Sequence, residues 1–218
     1  MKHILITGGT GNLGKVVVNK LLESSYQLHL ATREETDIVT ENIFYYAAEL
    51  ISPESSQSLV ENILNKTENI AAAVFIAGGF VGGSLQHTSM DDINSMMQLN
   101  FATAFNSSIP LVKHFRKKGG GKLIFIGAKA AYHNSTAISN MAYSLSKQML
   151  FNFTAMINES EAEFKTTAHI LLPGTLDTEF NRKQMPDADF TEWTSTFMIA
   201  ETISNIIAGK ETETIIEF

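Results

Sequence analysis

Short apolar runs alternate with longer segments of helical spacing from one end of the chain to the other, and few folds accept that rhythm. The runs are HILIT (3–7), QLHLA (27–31), IFYYA (43–47), AAVFIA (72–77), KLIFIG (122–127), AHILLP (168–173) and the terminal TIIEF. Each has the length and the β-branched or aromatic content of a strand. Between them, helical patterns run from Leu13 to Ser24, onward from Ser52-Pro53, from about Asp92 to Lys118 and from about Ala142 to Glu161. A strand that returns to its sheet through a helix makes a right-handed crossover, which keeps the strands parallel and sets helices on both faces. The expectation is one α/β domain over residues 1–218, a doubly wound parallel sheet of about seven strands.

Composition narrows the function. Of 218 residues, 44% are hydrophobic, enough for a sizeable core without bridges or metals. Sixteen basic against twenty-three acidic residues give a net charge of −7, so a nucleic-acid surface is not expected and any anion site must be local. The chain has no cysteine, which removes thiol nucleophiles, disulfides and thiolate zinc sites and agrees with a reducing cytoplasm. No metal site is expected. The N-terminal MKHILITGG reads as a strand, and Ile70 to Gly83 is too short and glycine-rich to span a bilayer, so the protein is expected to be soluble.

The first strand opens into TGGTGNLG (7–14) and then a helix. In that context Gly8, Gly11 and Gly14 turn the chain tightly, admit a pyrophosphate to the backbone and pack helix on strand, while the amides of Asn12 and Leu13 face the phosphates. The context predicts a Rossmann-type dinucleotide site. At the end of the second strand an acid reads a ribose 2′-hydroxyl and an arginine reads a 2′-phosphate; here Thr32-Arg33 precedes Glu34-Glu35, so Arg33 points to NADPH over NADH.

Farther along, Tyr143 and Lys147 stand four apart in a predicted helix and share a face. A free phenol titrates near ~10, and an adjacent ammonium favours its phenolate, which brings proton transfer toward neutral pH.

The order TGGTGNLG, AGG (77–79), QLNF (98–101), YSLSK (143–147), PGTLDT (173–178) resembles the short-chain dehydrogenase/reductase family over essentially the whole chain. Within it, FIAGGFVGGSL from Phe75, IGAKAAYHNS from Ile126 and LDTEFNRKQMPDADFTEW from Leu176 to Trp193 resemble dihydropteridine reductases. That resemblance implies an NAD(P)H-dependent oxidoreductase acting on quinonoid dihydropterin, with Tyr143 as proton donor and Lys147 both tuning Tyr143 and holding the nicotinamide ribose. It places Asn100 in a water chain to the lysine, Glu49 near the adenine and Ala77, Gly78 and Gly79 along the cofactor. Pro173, Gly174, Thr175 and Leu176 pass the carboxamide, while Phe80 and Ala128 flank the pterin. It also implies a homodimer formed through the helices near 94–118 and 142–160.

Three points bear on the substrate. Gly127-Ala128 stands where the wider family presents a carbonyl-polarising serine, and a quinonoid pterin, already electron-poor, needs no such donor. The acid that dihydropteridine reductases use for NADH at the end of strand two is replaced by Thr32 and Arg33. Asn100 is present where those enzymes commonly carry an apolar residue, which leaves open another activated C=N, quinone or carbonyl substrate. A non-catalytic NADP-binding sensor is the alternative from another class, opposed by the retention of Tyr143 and Lys147. Ser135, Thr136 and Ser139 have no spacing that makes them serine substitutes, His87 and His133 have no partner visible from spacing, and Trp193 and the nine methionines read as core or lid packing. Met96, Phe101, Phe105, Leu111, Leu145, Met149, Phe153 and Met156 are too many for one buried stripe, so both long helices are expected to bury two faces.

Overall fold

The protein was analysed as a computed structural model that describes residues 1–36, 38 and 40–218. Its strands are β1 (Lys2–Thr7), β2 (Tyr26–Thr32), β3 (Ile43–Ala47), β4 (Ile70–Phe75), β5 (Gly121–Ile126), β6 (Thr166–Leu172), β7 (Leu176–Asp177), β8 (Thr194–Ser195) and β9 (Ile215–Glu217). Seven form one parallel sheet in the order β3-β2-β1-β4-β5-β6-β9, and β7 pairs with β8 in a separate parallel ribbon. The expected seven-stranded doubly wound sheet is present.

Helices α1 (Asn12–Leu22), α2 (Pro53–Leu64), α3 (Met90–Met96), α4 (Thr103–Lys118), α5 (Asn134–Ala137), α6 (Met141–Glu161), α7 (Glu179–Gln184) and α8 (Thr196–Ala208) complete the chain. Central strands are apolar on both sides because both sheet faces are covered. Ile4, Ile6, Val74 and Ile124 pack with Val17 and Leu21 of α1 and with Ile199, Ile203 and Ile206 of α8. Leu5, Phe75, Leu123 and Phe125 point the other way, toward Leu59 and Ile63 of α2, Leu111 and Phe115 of α4, and Leu150 and Ile157 of α6. Ser52 starts α2 by accepting from Ser55 N, followed by Pro53 at the first turn, and Ser89 with Asp92 forms a capping box on α3.

Two sequence expectations change. The segment near 92–118 is not one helix: α3 passes into a π-helical stretch, Met97–Ala102, before α4. Helix α8 was not anticipated, although Ile199, Ile203, Ile206 and Ile207 follow helical spacing and Gly209 (φ +78°) closes it in the left-handed conformation. Its neighbour across the sheet face is α1, so its apolar side is covered only once the chain has come back to β1.

Strand order reverses between β1 and β4, the point where their outgoing connections diverge to opposite faces and leave a crevice at the carboxyl ends. The Ile76 amide donates to the Thr7 carbonyl at 3.1 Å and holds the two strand ends together there.

Candidate active site

The glycine turn after β1 lies in that crevice. Gly8 has φ +70°, and a Cβ on it would stand 2.6 Å from the Ala77 amide nitrogen, so both backbone conformation and packing demand glycine. A Cβ on Gly14 would overlap the Gly8 carbonyl. Gly11 is different: it is exposed, and an added Cβ would meet only the Gly8 oxygen at 3.4 Å. It precedes α1 without a side-chain cap, so the first-turn amides of Asn12, Leu13 and Gly14 have no capping side chain at the positive end of the helix. A pyrophosphate fits that arrangement.

Along the same rim, the Ala48 amide donates to the Thr32 carbonyl at 2.9 Å, which aligns the ends of β2 and β3. Thr32 Oγ1 donates to the Glu34 carbonyl at 2.8 Å and shapes the turn that carries Arg33. Arg33 is exposed and pairs with no described carboxylate. Glu49 is also exposed, but its Oε1 accepts from the Ile51 amide at 3.3 Å and its own amide donates to Ser55 Oγ at 2.9 Å. Glu49 thus organises the entry to α2.

After β4, Ala77 is half-buried with its amide 3.4 Å from Thr7 Oγ1, and Gly78 and Gly79 run against Asn100. A Cβ on Gly78 would collide with Asn100 Oδ1. Asn100 is 1% exposed and fully engaged: Oδ1 accepts from the Gly79 amide at 2.9 Å, while Nδ2 donates to the Gly79 carbonyl at 3.1 Å and to Ser146 Oγ at 3.0 Å. Ser146 Oγ in turn donates to the Tyr143 carbonyl at 2.6 Å. The π-helical stretch contains Asn100, and the extra residue per turn that it inserts fits the frequent placement of such bulges at functional sites. The sequence did not reveal Ser146 as the link between Asn100 and the Tyr143 turn; its place immediately before Lys147 was the available signal.

On α6, Lys147 is 6% exposed and its Nζ donates to the Ile126 carbonyl at the end of β5, 2.7 Å away. The ammonium lies 5.8 Å from the centroid of the Tyr143 ring. Burial draws the Lys147 pKa down from 10.5 to about 8 and pushes the Tyr143 phenol up to about 12. The expectation that the ammonium would favour a phenolate is therefore corrected: desolvation outweighs it, because Lys147 is occupied by a carbonyl and the phenol has little water around it. A phenol that keeps its proton at neutral pH is suited to donate it.

Phe80 is 64% exposed and meets the Tyr143 ring edge-on at 5.1 Å between centroids, so it is a wall of the site rather than a core residue. The Gly83 amide donates to the Ser139 carbonyl at 2.8 Å and the Met141 amide to the Gly83 carbonyl at 2.9 Å, pinning the Phe80 loop to the start of α6. Leu85 and Ile138 border a hollow of about 480 Å³ between these loops. Ala128 is buried, and two hydroxyls of the following loop are engaged locally: Thr136 Oγ1 donates to the His133 carbonyl at 2.8 Å and Ser139 Oγ to Asn140 Oδ1 at 2.9 Å.

Opposite, Pro173 accepts from the Lys129 amide at 2.9 Å, the Gly174 amide donates to Thr194 Oγ1 at 3.0 Å, and the Thr194 amide to the Thr175 carbonyl at 2.8 Å. Leu176–Asp177 then pairs with Thr194–Ser195, so the intervening segment leaves and rejoins the body at one point. Within it Arg182 grips Asp177 at 2.6 and 2.8 Å and lies 4.7 Å from the Phe190 ring, which packs on Trp193. Trp193 is half-buried against Phe190, and among the described residues Met96 is the one methionine in the core. His87 pairs with Ser84 and His133 with Glu217, outside the Tyr143 cluster.

Comparison with known proteins agrees with this geometry. The family description for short chain dehydrogenase matches residues 2–189. Dihydropteridine reductase of Dictyostelium discoideum is 28% identical over 206 residues, covering 93% of this chain and 86% of that protein. A 3-oxoacyl-[acyl-carrier-protein] reductase, FabG of Buchnera aphidicola, is 25% identical over 82% of this chain and 75% of its own length. Among solved structures, ElxO with NADP bound superposes with a TM-score of 0.89 at 20% identity, covering 99% of this chain and 96% of that one. With a glycine cradle at the strand-order reversal and a half-buried Tyr143 on the same helix as the buried Lys147, the chain belongs to the short-chain dehydrogenase family and is an NAD(P)-dependent oxidoreductase.

Proposed function

We propose that this enzyme reduces quinonoid dihydropterin to the tetrahydropterin, using NADPH in preference to NADH. The observation that carries the reading is the end of β5: Ala128 stands where a polarising hydroxyl belongs, and the hydroxyls of Thr136 and Ser139 are engaged within their own loop. An acceptor that is electron-poor before it binds reacts at such a site, whereas a plain ketone loses the donor that stabilises its developing charge. The likeness to the Dictyostelium discoideum reductase supports the same choice.

The bound nicotinamide supplies the hydride. Gly8, Gly11, Asn12, Leu13 and Gly14 hold the pyrophosphate, Arg33 meets the ribose 2′-phosphate, and Ala77, Gly78, Gly79 and Pro173 to Leu176 flank the nucleotide. Tyr143 donates the proton from a phenol that burial keeps protonated. Lys147 anchors the nicotinamide ribose, Asn100 keeps the Tyr143 turn in place through Ser146, and Phe80 presents its exposed ring to the flat pterin. Thr32 and Arg33 support NADPH. The reading also makes the protein a cytoplasmic homodimer; among the described residues no helix is long and apolar enough to cross a membrane.

The test is oxidation of NADPH with freshly generated quinonoid dihydropterin, beside a quinone and a simple ketone. The pterin is expected to turn over fastest, Tyr143→Phe to lose about a hundredfold or more in kcat with NADPH affinity kept, and Arg33→Ala to weaken NADPH but not NADH. A ketone reduced faster than the pterin would overturn the substrate assignment.

A further inference from the structure

The end of the sheet opposite the glycine turn gathers positive charge. Lys2 opens β1, Lys122 is the second residue of β5, and Lys165 immediately precedes β6. Together with Ala71 and Thr167 they line a hollow of about 230 Å³ that Ile207 of α8 borders. Strand geometry accounts for the grouping. Lys122 and Thr167 are register partners across β5 and β6 and project from one face, while β4, which separates β1 from β5, contributes only the short side chain of Ala71.

One surface lysine without a partner would carry no argument. Here three from separate elements converge, and like charges drawn together oppose the fold unless something offsets them. Among the described residues no carboxylate forms an ion pair with any of the three. Lys2 Nζ donates to the Ile207 carbonyl at 3.1 Å, which uses one of its three protons. Burial, and after it the Lys2 ammonium, lowers the Lys122 pKa from its ordinary value, so the two cations act on each other. Lys165 is set by its backbone. It is the one non-glycine residue at positive φ (+56°) among those described, closing the turn Ala162–Phe164 where glycine or asparagine is the unstrained choice. Its carbonyl packs on Gly120, itself left-handed at φ +112°, where a Cβ would overlap that oxygen. In a chain of net charge −7, a strained position thus holds a third cation beside two others.

We propose that this hollow binds a phosphate-bearing anion, at a site separate from the nucleotide cradle and independent of the pterin reading. Lys2, Lys122 and Lys165 supply ammonium donors, and Thr167 Oγ1, 3.2 Å from His169 Nε2, supplies a hydroxyl. Lysine meets phosphate as a point charge, and the several oxygens of a phosphate group let three ammoniums bond to it at once. With a liquid water occupying about 30 Å³, the hollow has room for such a group and water around it. The bound anion ties together the beginnings of β1, β5 and β6, strands whose other ends lead into Gly8, Ala128 and Pro173, and so adds to the stability of the fold.

The experiment titrates the full chain with inorganic pyrophosphate, and separately with succinate, at constant ionic strength, reading heat of binding and Tm. Saturating NADP⁺ is present throughout, so that pyrophosphate does not enter the cradle at Gly8 to Gly14. Pyrophosphate is expected to bind saturably at a single site per chain and to raise Tm. Lys122→Gln and Lys165→Asn are each expected to weaken it about tenfold. Asparagine keeps the left-handed backbone at position 165, so the Tm of that variant without anion should match wild type and separate lost binding from lost fold. Lys113→Gln removes the same charge from an exposed position on α4 and should leave affinity within about twofold. Equal weakening by Lys113→Gln would reveal a diffuse charge effect and overturn the proposal. Absence of saturable binding would overturn it as well, and so would succinate binding as tightly as pyrophosphate.

Discussion

At the scale of single residues, the site trades stability for chemistry at Lys147. Its pKa in the fold is about 8 against 10.5 in an exposed lysine, so carrying the charge destabilises the folded state below about pH 8, and that penalty fades as pH rises toward 10.5. Replacing Lys147 by Met is expected to raise folding stability at pH 7 by up to about 3 kcal/mol, less the contribution of the bond to Ile126, while turnover collapses. Denaturant unfolding at pH 7 and pH 10 measures it, and the gain should shrink at the higher pH; a variant no more stable than wild type at pH 7 would show that the buried charge is already compensated. The same shift predicts that wild-type kcat/KM falls as pH rises through about 8, where the ammonium is lost, whereas Tyr143, pushed up to about 12, keeps its proton throughout that range.

At the scale of elements, the helix that carries Tyr143 and Lys147 is fastened at its far end. Arg116 of α4 grips Glu161, the last residue of α6, at 2.6 and 2.7 Å, and Glu161 is 2% exposed. Arg116 holds the Glu161 carboxyl below its usual range, so this pair stabilises the fold above the carboxylate's ordinary pKa and stops doing so as pH falls through the lowered one. Glu161→Gln is expected to cost about 1 to 2 kcal/mol at pH 7, discounted because Arg116 is half exposed, and the difference from wild type should narrow in acid. Thermal melts across that pH range would refute it if the gap held constant. The elements also mark where the sequence was opaque. The π-helical stretch over Met97–Ala102 depends on Asn100 reaching the Gly79 backbone, a contact between residues 21 positions apart that no local spacing encodes. Helix α8 did carry the local signal, in Ile199, Ile203, Ile206 and Gly209, but its place depends on α1 at the other end of the chain.

At the scale of the whole molecule, α4 and α6 present a face that the fold leaves uncovered. Met96 and Leu111 are buried as the excess of apolar positions suggested, yet Phe105 is 38% exposed, Leu145 40%, Met149 42% and Met156 65%. The expected second buried face is thus not buried within one chain, and a two-fold pairing of these helices would bury it. Wild type is expected to dimerise and Met156→Glu with Phe105→Glu to yield a folded monomer, read by light scattering behind gel filtration; wild-type monomer at micromolar concentration would reject the pairing.

The sequence by itself determined the layered α/β fold, the glycine cradle and the Tyr143-Lys147 pair, because strand period, helix period and the steric freedom of glycine act over a few residues and need no distant partner. Only the tertiary structure decided which way the phenol titrates, that Phe80 walls the site, and that Ser146 links Asn100 to Tyr143. Those depend on desolvation and on contacts between chain segments far apart, quantities that exist only once the sheet has brought the ends of β1, β4, β5 and β6 to one rim.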